Sequence, residues 1–149
     1  MKLEEEIKQS KFKSAQQKAV LNILFTANWI QNLQRELFEP YGITGQQYNI
    51  LRILRGQHPK RICAYELKSR LLDKNSDVSR LLDRLIGKKL VNKSKSKTDK
   101  RAFEINITPQ GLALLNEMDS LINTLDTRVI KLSSTEASQL NVLLDKCRD

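Results

Sequence analysis

A chain of 149 residues with 26 Lys and Arg against 17 Asp and Glu carries a formal charge of +9 and suits one compact domain that buries roughly 68–70% of its unfolded surface. Its only cysteines are Cys63 and Cys147 and its only histidine is His58; that inventory excludes the usual four-ligand zinc sites, and reduced thiols in the cytoplasm are the simplest expectation. There is no apolar run of about 18 residues to span a membrane, the start Met1-Lys2-Leu3-Glu4-Glu5-Glu6 lacks the apolar core of a signal peptide, and no cofactor or metal is expected.

From about Lys11 to Phe38, the apolar residues Val20, Ile23, Leu24, Ala27, Ile30, Leu33 and Leu37 recur at helical spacing, and Pro40 ends the pattern. Phe25, Trp29 and Phe38 widen this apolar surface beyond what one flank of a small module would cover, so part of it is expected to meet another chain. Thr44-Gly45-Gln46-Gln47 reads as a capping box opening a second helix to about Arg55, with Tyr48, Leu51, Ile53 and Leu54 inward. Gly56-Gln57-His58-Pro59 breaks it, with His58 expected as a solvated loop residue.

Cys63 to Leu72 is a shorter helical run with Ala64, Leu67 and Leu71 inward. The stretch Asp73 to Gly87 follows closely, with Val78, Leu81, Leu82, Leu85 and Ile86 on one face. Two helices joined so tightly suggest a helix-turn-helix. The opposite face of the second carries Ser76, Ser79, Arg80 and Asp83, flanked by Asp77, Arg84 and Lys88, with Asn75 or Asp73 as its cap. Arg forks match guanine O6 and N7, a serine can donate or accept, and a carboxylate can accept from cytosine or hold a neighbouring arginine; Asp83 is expected to orient Arg80 or Arg84.

Gly87 supplies a stop for this helix. Two strand candidates come next, Leu90 to Ser94 and Arg101 to Ile107, the second with Phe103, Ile105 and Ile107 on one face. Between them lies the basic turn Lys95-Ser96-Lys97-Thr98-Asp99-Lys100. Thr108 then caps a long helix with Pro109 in its first turn, and Leu112, Leu115, Met118, Ile122, Leu125, Val129 and Leu132 give it a near-heptad stripe. Ser133 to Glu136 is a further capping box, before a last apolar face of Leu140, Leu143, Leu144 and Cys147.

Helix, helix, β-hairpin is the order of a winged helix-turn-helix. The runs Asp77-Val78-Ser79-Arg80-Leu81-Leu82-Asp83-Arg84-Leu85, Lys89-Leu90-Val91, Asp99-Lys100-Arg101 and Ile107-Thr108-Pro109-Gln110-Gly111 resemble the MarR family of transcriptional regulators, over about Gly42 to Met118. The Asp-x-Arg wing and the Thr-Pro-x-Gly helix start are its more specific parts. Lys100-Arg101 departs from the two arginines frequent there. The resemblance implies that Asp99 braces the wing while Arg101 reaches the minor groove, and that phenolic or other lipophilic effectors, or thiol oxidation, regulate the protein. Two readings stay open for Cys63, a redox switch and a small half-buried residue; no motif marks an effector site.

The expected fold is therefore mainly α with a small β-hairpin wing (α+β). Helical dimerisation arms over 1–40 and 111–149 flank a winged helix-turn-helix over 41–110, all intertwined in one dimeric domain. Charge agrees with this division. Residues 52–101 hold 16 Lys and Arg against 5 Asp and Glu, a balance of +11; residues 1–51 hold 6 against 5, and 102–149 hold 4 against 7. A basic stripe confined to one module is the footprint of a polyanion. A membrane surface is the weaker candidate, because the basic helices commit their apolar faces to a core.

The function expected is sequence-specific binding of double-stranded DNA by a homodimer on a pseudo-palindromic operator, as a ligand- or stress-responsive repressor. The contacts fall to Asn75, Ser76, Asp77, Ser79, Arg80, Asp83 and Arg84 of the recognition helix and to Lys93, Lys95, Lys97, Asp99, Lys100 and Arg101 of the wing. The alternative is a winged-helix module for protein–protein contact. No phosphate-cradling glycine loop, metal cluster or Cys/His pair marks an enzyme, although acid–base pairs brought together only by folding stay open.

Overall fold

The computed structural model describes residues 1–96, 102–129 and 131–148, the side chains of 125–129 excepted. Helix α1 (Leu3–Glu6) is one turn. The long α2 (Ala15–Phe38) starts where the Ser14 hydroxyl accepts from the Gln17 N–H at 3.1 Å. Pro40 falls in a 3₁₀ turn, Glu39–Tyr41, and Gly42 closes that turn at φ +65°, a left-handed backbone that glycine adopts without a Cβ penalty. Helix α3 (Gly45–Gln57) opens on the expected capping box: Thr44 Oγ1 accepts from Gln47 N–H, and the Gln47 side chain accepts from Thr44 N–H at 3.1 Å. It runs through Gly56 to Gln57, so that glycine does not end it.

Strand β1 (Ile62–Cys63), helices α4 (Ala64–Arg70) and α5 (Val78–Gly87), and strands β2 (Val91–Lys95) and β3 (Phe103–Ile107) follow. The sheet is three-stranded and antiparallel in the order β1-β3-β2, with Ile62 opposite Ile105 and Val91 opposite Ile107. The wing thus has one strand more than the expected hairpin. Cys63 belongs to that strand and caps α4 rather than opening the helix, and Ala64, expected inward, is exposed.

The chain comprises two compact units, Met1–Leu112 and Ala113–Asp149. In the first unit, α3 packs against α2, α4, α5 and β3. Phe38, Ile50, Leu51, Leu54, Ile62, Leu67, Leu85, Ile105 and Ile107 are buried there to within 2%. Gln47 and Asn49 are buried with them, Asn49 accepting from Arg52 at 3.0 Å.

The second unit holds most of α6 (Pro109–Val129) and α7 (Ser134–Lys146), which opens on the Ser133–Glu136 capping box. Leu115 and Met118 are fully buried. Leu132, expected to continue the α6 stripe, follows the end of that helix and is exposed, and the Leu125 and Val129 side chains lie outside the described residues. Along α7, Leu140, Val142, Leu143 and Cys147 are exposed. Among the described residues, no helix is long and apolar enough to cross a membrane.

Candidate nucleic-acid interface

The recognition helix starts later than either cap proposed for it. Asp73 Oδ1 accepts from the Asn75 N–H at 2.9 Å and Oδ2 from the Ser76 hydroxyl at 3.0 Å, so side-chain oxygens occupy groups that a helix would need. The helical ladder begins after Asp77, whose carboxylate accepts from Arg80 N–H at 3.1 Å and caps α5. Burial follows the expected face, with Val78, Leu81, Leu82 and Leu85 all buried.

At the other end α5 stops at Gly87 as expected, but the left-handed residue that closes it is not that glycine. Lys89 takes φ +60°, and the Leu90 and Lys89 N–H groups return to the carbonyls of Leu85 and Ile86 at 3.0 and 2.8 Å, a Schellman motif built on a lysine. The wing connects here: Thr108 N–H donates to Leu90 O at 3.1 Å, and its hydroxyl donates to Lys89 O at 2.8 Å while accepting from Gly111 N–H at 3.0 Å. One threonine therefore ties the end of α5 to the start of α6.

Ser79, Arg80, Asp83 and Arg84 share the exposed face of α5, with Asp77 exposed at its start and Asn75 exposed in the turn before it. Ser76 does not join them: it is only 8% exposed and hydrogen-bonded to Asp73. Among the described residues, no ion pair joins Asp83 to Arg80 or Arg84, so the expected orienting contact is not formed.

On β2, Lys93 and Lys95 are exposed. The Lys93 ammonium lies 4.6 Å from the centroid of Phe103, which is 44% exposed although Ile105 and Ile107, expected on the same face of the strand, are buried. Phe103 is the first residue of β3, and its ring meets the Lys93 ammonium. Lys97, Asp99, Lys100 and Arg101 lie outside the described residues. Sequence reasoning missed Arg61, whose guanidinium donates to Ser94 Oγ at 2.8 Å beside the wing; a two-residue strand gives no periodicity to reveal it.

An open groove of about 920 Å³ runs along α2, α3 and α5, with Arg35, Arg84 and Lys88 among its lining. In the same region the Asp73 carboxyl is held below its ordinary value chiefly by the Asn75 N–H and the Ser76 hydroxyl and least by the Gln46 amide, against the opposing effect of desolvation. A depressed carboxylate stabilises the fold above its unfolded pKa and loses that contribution as pH falls through the folded value. Asp73→Asn should therefore narrow the loss of thermal midpoint seen on acidification from about pH 5 to about pH 2, measured beside wild type; identical curves would show that Asp73 is not coupled to folding.

Comparison with known proteins adds three findings. A MarR-family profile matches residues 43–103. The HTH-type transcriptional regulator PapX of Escherichia coli is 26% identical over 95 residues, a stretch that covers 64% of this chain and 58% of PapX. Among solved structures, a mutant MarR from E. coli complexed with operator DNA superposes with a TM-score of 0.80 at 27% identity, covering 93% of this chain and 99% of that one. A MarR transcription factor from Planctomyces limnophilus gives 0.70 at 28% identity, over 93% and 98% of the two chains.

Proposed function

We propose that this chain, which the MarR-family profile matches over residues 43–103 and which resembles solved MarR structures in fold, is a MarR-type regulator: a homodimeric, sequence-specific binder of double-stranded DNA that represses transcription. The observation that carries this is the exposed face of α5, where Ser79, Arg80, Asp83 and Arg84 stand without apolar cover on the part of the chain that holds the positive charge. The solved relative bound to operator DNA supports DNA as the partner.

The dimer is inferred from apolar surface left open in one chain. Val20 and Leu24 on α2 are each 56% exposed, and Val142 and Leu143 on α7 are 67% and 60% exposed. A second copy would cover these stripes about a two-fold axis. Two recognition helices would then meet successive major grooves about 34–36 Å apart. Selection of bound duplexes from random DNA should enrich an approximate palindrome with half-sites about one helical turn apart; a pool with no common motif would reject the proposal in favour of a protein-binding module. Response to a phenolic or other lipophilic ligand is the further part of the reading, with the groove along α2, α3 and α5 as its site.

Within the wing the division of labour is testable. Arg101, in the position of the second basic residue of the family's Asp-x-Arg wing, would enter a narrow minor groove whose potential attracts a guanidinium, and Lys97 would meet phosphate. Arg101→Ala should cost much of the affinity. Lys97→Ala should chiefly lower the salt slope by about 0.9. Salt-series titrations check both, and equal losses with unchanged slopes contradict the assignment.

A further inference from the structure

The turn that leads into α5 and the residue that caps its end are both fastened to one short segment of the chain. In that turn, the Gln46 side-chain amide donates to Asp73 Oδ2 and to Ser76 Oγ, each at 3.4 Å. At the trailing end of α5, the ammonium of Lys88, the residue that caps the helix, donates to the carbonyl oxygen of Gly42. Gly42 and Gln46 belong to the junction where α2 gives way to α3. That junction is itself well determined, by the Gly42 N–H to Glu39 O bond at 2.9 Å on one side and the Thr44–Gln47 capping box on the other.

The apolar face of α5 sets how deeply the helix sits, since Leu85 is fully buried and Leu82 nearly so. An apolar stripe does not by itself fix heading, because a helix can swing about the normal to its packed face while keeping most of its buried area. Ties in the turn before the helix and at its cap resist that swing. Gln46 and Lys88 are both exposed, so neither is held there by burial, and neither is among the side chains assigned above to DNA contact.

We propose that Gln46 and Lys88 are positioning residues for base reading, holding the heading of α5 to the 42–46 junction so that Arg80 and Arg84 arrive in register with base edges. The proposal rests on the DNA-binding function proposed above. A binding constellation tolerates only about 10–20° of misdirection before its hydrogen bonds fail. Phosphate attraction, which falls off gradually with distance and has no such angular demand, would survive the same swing.

The full-length variants Gln46→Ala, Lys88→Met and Lys88→Arg test this. Each is titrated by fluorescence anisotropy against a duplex selected by the wild-type protein and against a scrambled duplex of equal length, at several salt concentrations. The first two should lower the ratio of selected to scrambled affinity by about tenfold, the scale of a lost hydrogen bond of about 1.4 kcal/mol, with scrambled affinity, its salt slope and the thermal midpoint unchanged; Lys88→Arg should retain the ratio.

An unchanged ratio would overturn the proposal. So would equal weakening on both duplexes with a slope lower by about 0.9, the mark of a direct phosphate contact by Lys88, or a loss of ratio that tracks a fall in thermal midpoint. A wild-type ratio near one would instead overturn the DNA-binding function itself, and this inference with it.

Discussion

Phe38→Ala should lower the free energy of unfolding by about 3–5 kcal/mol. Phe38 is the last residue of α2, is fully buried, and stacks on Tyr48 with ring centroids 4.9 Å apart and planes 30° from parallel. Its carbonyl also accepts from the Ile43 N–H at 3.4 Å, so the chain reverses around the ring as it leaves the long helix. Truncation removes the burial of the ring and the stacking, the latter worth about 0.5–1.5 kcal/mol, and leaves a cavity where α2 meets α3. Phe38→Leu should recover more than half of the loss. Denaturant unfolding at one fixed protein concentration measures both, since association would otherwise shift the midpoint; a loss below about 1 kcal/mol for Phe38→Ala would mean that this junction collapses freely.

The second large effect is one that helix propensity predicts with the wrong sign. Gly111 lies in the first turn of α6, where alanine would ordinarily gain about 1 kcal/mol. A Cβ at this position, however, would lie 2.5 Å from the carbonyl oxygen of Leu90 and 2.7 Å from Ile107 Cγ1. Neither neighbour is free to retreat: Leu90 O accepts from Thr108 N–H, and Ile107 is buried in β3 opposite Val91. Overpacking of this kind commonly costs about 1–3 kcal/mol and here involves backbone, so Gly111→Ala should destabilise by a net amount of about 2–3 kcal/mol. A stabilised variant would show that the backbone around Gly111 can shift away from Leu90 and Ile107 at little cost. The glycine of the Thr-Pro-x-Gly start is thereby explained by close approach rather than by φ.

Sequence periodicity conveyed much of the fold. The two capping boxes at Thr44 and Ser133 stand where their side-chain pattern placed them, because such a box is a local device whose bonds span three residues. The buried face of α5 was legible for the same reason. What was not legible depends on contacts distant in sequence or on segments too short to repeat. The one-turn α1 and the two-residue β1 have no period to detect, and β1 is a strand only because Ile62 pairs with Ile105.

The turn before α5 shows a competition that propensity alone does not resolve. Asp73 and Ser76 read as the start of an amphipathic helix, but their side chains bond to each other and to the Asn75 N–H, which delays the helix to Val78 and withdraws Ser76 from the exposed face. Lys89 at positive φ is a parallel case. The Schellman bonds and the Thr108 hydroxyl hold a lysine where glycine would be expected, so the left-handed residue falls two positions beyond Gly87, at which the helix itself ends. Of the contact residues, the structure gathers Ser79, Arg80, Asp83 and Arg84 on one face and places Lys93 and Lys95 on β2.

The central claim is that α5 reads base edges while surrounding cations hold phosphate, and wild-type binding to two duplexes measures it most directly. Anisotropy titrations of the full-length protein, with a selected duplex and a scrambled one of equal length, should show the selected duplex bound at least about 10³-fold more tightly at moderate salt. Both affinities should fall steeply as salt rises, as expected when several phosphates are neutralised. Equal affinities for the two duplexes across the salt series would contradict the account.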